Sequence, residues 1–174
     1  MLLAKLSGRK YLNIVAPAAK TFHLITQNVD GLSVAAAKSL DSQLSGNQAR
    51  SDHVQVDSII EMHGSLFDVR CTHCGHTVQD HSIPLCPSLG AMDLLLDNYV
   101  EAGLKKIDIP VEDLPRCSLC GALARPGVVW FDEKPYELDK INSLIFKADL
   151  CLVIGTSSTV RAGGWKFSLL IISF

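Results

Sequence analysis

The stretch IIEMHGSLFDVRCTHC, Ile59–Cys74, packs an apolar run, a His-Gly pair and a Cys-x-x-Cys into one short segment. Ile59 and Ile60 read as a buried strand that empties into a loop at His63. Cys71 and Cys74 then set two sulfurs on one tight turn. Further along, Cys117 and Cys120 repeat that spacing, and each pair runs directly into a glycine, Gly75 and Gly121. Two such turns supply the four thiolates that a structural zinc takes in tetrahedral geometry, and glycine lets the backbone bend behind each pair. A redox dithiol is the alternative reading of a lone Cys-x-x-Cys. Two pairs favour zinc, with residues 75 to 116 forming a lobe that returns to the metal. Cys86 and Cys151 have no paired neighbour and are expected in the core as small apolar residues.

Composition narrows the function classes. The chain has 174 residues, 48% of them hydrophobic, enough for one ordinary core with a small satellite lobe. A net charge of -2, with lysine and arginine scattered rather than gathered in a stripe, provides no footprint for nucleic acid. The first residues are broken by Lys5, Gly8, Arg9 and Lys10 and do not read as a secretory signal. The longest apolar run, FSLLIISF at the end of the chain, is far shorter than the ~20 residues that cross a bilayer. A soluble, intracellular protein without a membrane partner is expected.

Three apolar runs end in polar or glycine-containing tips: FHLITQNVDGL from Phe22, IIEMHGSL from Ile59 and ADLCLVIGTSS from Ala148. Each predicts a buried strand, and in open parallel α/β sheets ligands gather at the carboxyl ends of such strands. The tips are Gln27, Asn28, Val29 and Asp30, then His63, then Gly155, Thr156 and Ser157. Taken alone, each tip reads as a polar turn or, for His63, as a structural histidine; Trp130 and Phe131 read as core. Residues 35–58, rich in serine and glutamine, predict a surface insertion. DLLLDNYVEAGLKKI from Asp93 predicts a short helix inside the lobe.

Five segments together carry a resemblance: TQNVDGL (Thr26–Leu32), EMHGSLF (Glu61–Phe67), the two cysteine pairs, RPGVVWFDE (Arg125–Glu133) and LVIGTSS (Leu152–Ser158). In content and order they resemble the sirtuins, NAD-dependent protein lysine deacylases that pass an acyl group to ADP-ribose and release nicotinamide. The resemblance implies an α/β fold: a partial Rossmann-like parallel sheet domain, residues 1–66 and 121–174, with a small zinc-binding lobe, residues 67–120. It implies one structural Zn2+ on Cys71, Cys74, Cys117 and Cys120, and NAD+ as cosubstrate. It makes His63 the general base, suited to that task by an imidazole pKa near ~6.5. Gln27, Asn28, Val29 and Asp30 would hold the nicotinamide and its ribose. Gly155, Thr156 and Ser157 would form a second dinucleotide loop. Val129, Trp130 and Phe131 would receive an acylated-lysine protein or peptide. IPVEDLPRC from Ile109, with IPLCPSL upstream, is similar to the class III branch that removes succinyl, malonyl and glutaryl groups.

The departures set expectations too. Asp132 stands where many sirtuins have glycine. The family's glycine-rich strand, loop and helix have no counterpart before Thr26, and TVRAGGWKFSLLIISF after Ser158 matches nothing recognisable. The chain on its own is therefore expected to be inactive and poorly soluble, with its β-prone tail inviting edge pairing. The rival to a deacylase is a noncatalytic zinc-stabilised module. His23, His53, His73, His76 and His81 are expected at the surface or behind other ligands.

Overall fold

The computed structural model describes residues 2–44, 55–90, 109–154 and 169–173. Among them the strands are β1 (Thr21–Thr26), β2 (Ile59–Glu61), β3 (Gly64–Cys71), β4 (Thr77–Gln79), β5 (Ala124–Val128), β6 (Leu150–Val153) and β7 (Leu169–Ser173). The helices are α1 (Leu2–Leu6), α2 (Arg9–Val15), α3 (Leu32–Leu44) and α4 (Leu138–Phe146). The chain divides into two compact units, Met1–Ser65 with Val128–Phe174, and Leu66–Gly127.

The first unit is an α/β sheet in the order β2-β1-β7-β6. β1 and β2 pair in parallel, Leu24 opposite Ile59 and Thr26 opposite Glu61. β7 pairs antiparallel with both β1 and β6, so β1, β2 and β6 all run the same way. The β period of two sends alternate side chains of β1 to opposite faces. Phe22 and Leu24 join a cluster with Leu12, Ala19, Ala37, Leu40 and Ile59, against which Leu3 and Leu6 also pack. Ile25 enters a second cluster with Ile60, Met62 and Ile141, the last from α4. Apolar side chains thus cover β1 on both faces, as a parallel sheet requires. Ile25, Ile60 and Ile141 are fully buried, and each contributes about 1.5–3 kcal/mol through that burial.

The sheet departs from expectation in three ways. Residues 32–44 are helical, not an irregular insertion: Ala37 and Leu40, three apart, face the first cluster, with Val34 packed beside them, and alanines at 35–37 favour the helix. Residues 45–54 lie outside the described residues. β6 forms as predicted but is not buried, since Leu150, Leu152 and Val153 are exposed and its pairing is with β7. Cys151 is likewise exposed rather than core. Finally, the tail is not an open edge, because β7 is hydrogen-bonded on both sides and makes the sheet mixed rather than purely parallel.

The second unit is a small sheet in the order β4-β3-β5. β3 and β4 pair antiparallel, with Val69 opposite Val78. A 3-10 turn at Val111–Asp113 precedes the second cysteine pair. The predicted helix from Asp93 lies outside the described residues. No helix among the described residues is long and apolar enough to cross a membrane.

Candidate active site and metal centre

Parallel direction and register bring the carboxyl ends of β1, β2 and β6 to one edge of the sheet: Thr26 lies level with Glu61, and both Ile25 and Val153 pair with Leu169. Two of the three predicted tips leave from that edge in described residues. Gly155, Thr156 and Ser157 follow β6 but lie outside the described residues.

The β1 tip is shaped by its own side chains. Thr26 Oγ1 accepts the Asn28 N–H at 3.1 Å and Asp30 Oδ1 accepts the Leu32 N–H at 3.0 Å. Gly31, at φ 67°, turns the chain into α3. Gln27 and Val29 are half-buried, whereas Asn28 and Asp30 are exposed.

His63 is held by the backbone around it. The Met62 N–H donates to Thr26 O at 3.0 Å, the Tyr136 N–H donates to Met62 O at 2.9 Å, and the Val129 N–H donates to His63 O at 2.9 Å. The half-buried His63 side chain hydrogen-bonds the Gln27 backbone. Burial lowers its pKa below the usual 6.5, and the Gln27 bond offsets part of that shift. At neutral pH the ring is therefore neutral, the state a general base needs. His23, expected at the surface, instead sits half-buried on β1 with its Nδ1 buried and unpartnered. Desolvation and then the Lys140 charge lower its pKa.

β5 stops at Val128, so Val129, Trp130 and Phe131 follow the strand rather than form it. The Trp130 N–H donates to Glu133 Oε2 at 2.9 Å, and Trp130 O accepts the Glu133 N–H at 3.1 Å. Phe131 is 80% exposed and Trp130 56%, which removes both from the core. Asp132 takes φ 71°, a left-handed conformation in which glycine carries no Cβ penalty.

In the second unit the four cysteine sulfurs lie within 4.8 Å of one another. The Cys71–Cys120, Cys74–Cys120 and Cys74–Cys117 sulfur pairs are 3.5, 3.6 and 3.8 Å apart. Tetrahedral Zn–S bonds of about 2.3 Å place sulfurs roughly 3.8 Å apart, so this donor set fits one zinc. The two turns are alike. The N–H groups of His73 and Cys74 point at Cys71 Sγ, the Leu119 N–H points at Cys117 Sγ, and Gly75 and Gly121 take φ 73° and 70°. The Cys74 N–H is the main influence bringing Cys71 down to about 6. Cys74 is drawn down by the His76 N–H but pushed up to about 12 by Cys71, burial and the other thiols. Crowded sulfurs cannot all ionise without a cation to share them, and four protein ligands leave no open position for substrate.

Residues 7–162 match the Sir2 family. The chain belongs to the Sir2 family. The mitochondrial NAD-dependent protein deacylase sirtuin-5 of Danio rerio is 40% identical over 141 residues, covering 79% of this chain and 39% of that protein. Its counterpart from Canis lupus familiaris is 42% identical over 107 residues, covering 59% of this chain and 33% of that protein. Among solved structures, the crystal structure of a Sir2 homolog–NAD complex is 28% identical, with a TM-score of 0.49, covering 92% of this chain and 43% of that one. The chain thus spans between a third and two-fifths of the sirtuin-5 relatives' length. Within the Sir2 match, Thr26 and Tyr136 are site-building residues that pattern reading passed over. A threonine two residues before an asparagine is an available turn signal for the first. The second acts through a backbone N–H and leaves no signature.

Proposed function

We propose that this chain carries the nicotinamide-ribose side of an NAD-dependent protein lysine deacylase site, with His63 as general base. The observation that carries this reading is the hydrogen bond between the His63 ring and the Gln27 backbone, which sets a neutral imidazole against the polar tip of β1. NAD supplies the ribose that receives the acyl group. His63 takes a proton from a ribose hydroxyl; Gln27, Asn28, Val29 and Asp30 orient the nicotinamide ribose; Gly155, Thr156 and Ser157 complete the dinucleotide contact. Val129, Trp130 and Phe131 receive the acyl-lysine peptide, the exposed rings of Trp130 and Phe131 offering apolar walls. Zinc on Cys71, Cys74, Cys117 and Cys120 holds the lobe and takes no part in the reaction. Succinyl, malonyl and glutaryl groups are the proposed acyl class, in keeping with the sirtuin-5 relatives.

The test is nicotinamide release from NAD with a succinyl-lysine peptide, by the chain joined to the remaining residues of the Danio rerio relative. Peptide-dependent release is expected, and His63→Ala should lower it by about 10²–10⁴-fold, the usual contribution of a general base. Equal release by the variant would remove His63 from the reaction.

A further inference from the structure

The segment that follows β5 carries a strained, exposed carboxylate. The Glu133 N–H donates to Trp130 O at 3.1 Å, which closes a four-residue turn, and Glu133 Oε2 accepts the Trp130 N–H at 2.9 Å, which fastens the same two residues a second time. Within that turn only Asp132 has a positive φ, 71°, the pattern of a type II turn, whose third residue is ordinarily glycine. A Cβ in that conformation costs stability, and strain of this kind concentrates at ligand-binding and switch positions. Between Val128 and Lys140 the sequence sets four carboxylates, Asp132, Glu133, Glu137 and Asp139, against two ammonium groups, Lys134 and Lys140. Lys134 pairs with Asp139 at 3.5 Å, Lys140 pairs with Glu137 at 2.6 Å, and Glu133 is taken by the Trp130 N–H. Among the described residues, the exposed Asp132 carboxylate has neither a hydrogen bond nor an ion pair.

We propose that Asp132 selects the peptide by charge, favouring acyl-lysines flanked by arginine or lysine and disfavouring those flanked by aspartate or glutamate. The proposal rests on the reading of Val129, Trp130 and Phe131 as the segment that receives the peptide, and adds to it which peptides are taken. Asp132 adjoins that segment directly. The Val129 N–H donates to His63 O at 2.9 Å and the turn is closed at Glu133, so the carboxylate is carried on a short, fastened path from His63. A flanking cation meets a carboxylate with no partner to displace, whereas a flanking anion meets a segment with an acidic excess. Lys134 and Lys140 offer that anion little, each being already paired. Glycine would build the same turn without strain and without that discrimination. Because the carboxylate is exposed, the effect is modest and screened by salt: one such pair changes affinity by about 1.5- to 5-fold.

The selection is read by titrating the zinc-loaded chain with three peptides that share one succinyl-lysine and differ only in its neighbours, with arginine, alanine or glutamate on each side. The Trp130 and Phe131 amides are followed by NMR up to millimolar peptide. The arginine peptide should bind about two- to five-fold more tightly than the alanine peptide, and the glutamate peptide more weakly by a similar factor. Salt at about 1 M, where the Debye length is ~3 Å, should bring the three together. Asp132→Asn, which tolerates the left-handed conformation without the charge, should do the same at low salt. Asp139→Asn removes a carboxylate from the same segment and should leave the order of the three unchanged. Peptides that move neither amide overturn the peptide reading and the selection with it. Peptides that move both amides with affinities independent of their neighbours, or a preference that survives Asp132→Asn, leave that reading standing and overturn the selection.

Discussion

The two units differ in what their described residues bury. Twelve of the fifteen buried apolar residues among those described belong to the sheet unit, from Leu12 to Ile141. The other three are Val69, Cys71 and Cys117, two of them thiols of the sulfur cluster. Among the described residues, apolar burial is ample in the first unit, whereas in the second it is one valine beside two of the four clustered thiols. The described part of the lobe offers a metal as a source of stability, and that of the sheet offers apolar packing. A chain can therefore lose one unit's source of stability and keep the other's, which also separates the residues proposed for chemistry from those proposed for metal.

The largest expected effect comes from breaking the lobe. Structural zinc contributes on the order of 10–16 kcal/mol to small domains that fold around it. Chelation, or Cys71→Ser combined with Cys117→Ser, should abolish amide hydrogen-exchange protection at Val69, Arg70 and Thr77 while leaving it at Leu24 and Ile25. Persistent lobe protection without metal would show that the lobe has a core of its own.

The next effect sharpens the comparison inside the sheet unit. Ile60 is 1% exposed, and Ile60→Ala should cost about 2–5 kcal/mol in denaturant unfolding. Leu152 on β6 is 43% exposed, and Leu152→Ala should stay within about 0.5 kcal/mol. Equal costs would mean that β6 is covered in solution.

Acid should weaken the sheet unit through its histidines. His23 and His63 both titrate below 6.5 when folded, so as pH falls through 6.5 the unfolded chain takes up protons that the folded chain refuses. Stability is thus greatest above 6.5, declines as pH falls towards the folded values, and levels off below them. His23→Phe, which removes the unpartnered Nδ1, should flatten part of that decline in unfolding curves at pH 7 and pH 5. A variant curve parallel to that of the native protein would acquit His23.

The smallest expected effect is local. Asp132→Gly relieves a left-handed residue whose Cβ costs about 1–2 kcal/mol, offset by about 0.5–1 kcal/mol of added chain entropy. A gain of up to about 1.5 kcal/mol is expected by thermal unfolding, and a loss would mean that the carboxylate is needed where it stands.

What could be read from sequence follows from which interactions are local. The cysteine turns are local: sulfur spacing and the following glycine appear side by side, and Gly75 and Gly121 have the left-handed geometry that spacing implies. Strand positions were legible at β1, β2 and β6 because apolar runs end in polar tips. Burial was not, since the exposure of β6 depends on what packs beside it. α3 was missed because serine and glutamine masked the Ala37/Leu40 stripe. The reversed pairing of β7 could not be inferred from LLIIS, whose composition suits either direction. His63 beside Gln27 required the parallel β1–β2 register, which no local pattern encodes.

The central claim is that the β1 tip and His63 form one nicotinamide-ribose site on the sheet unit. Its most direct test is an NMR titration of the zinc-loaded chain with NAD up to millimolar concentration. The account predicts saturable shifts of the His63 ring and of the Gln27, Asn28 and Asp30 amides, with Thr77, Val78 and Gln79 in the lobe unmoved. Shifts confined to the lobe, or a His63 ring that ignores NAD while Gln27 responds, would contradict it.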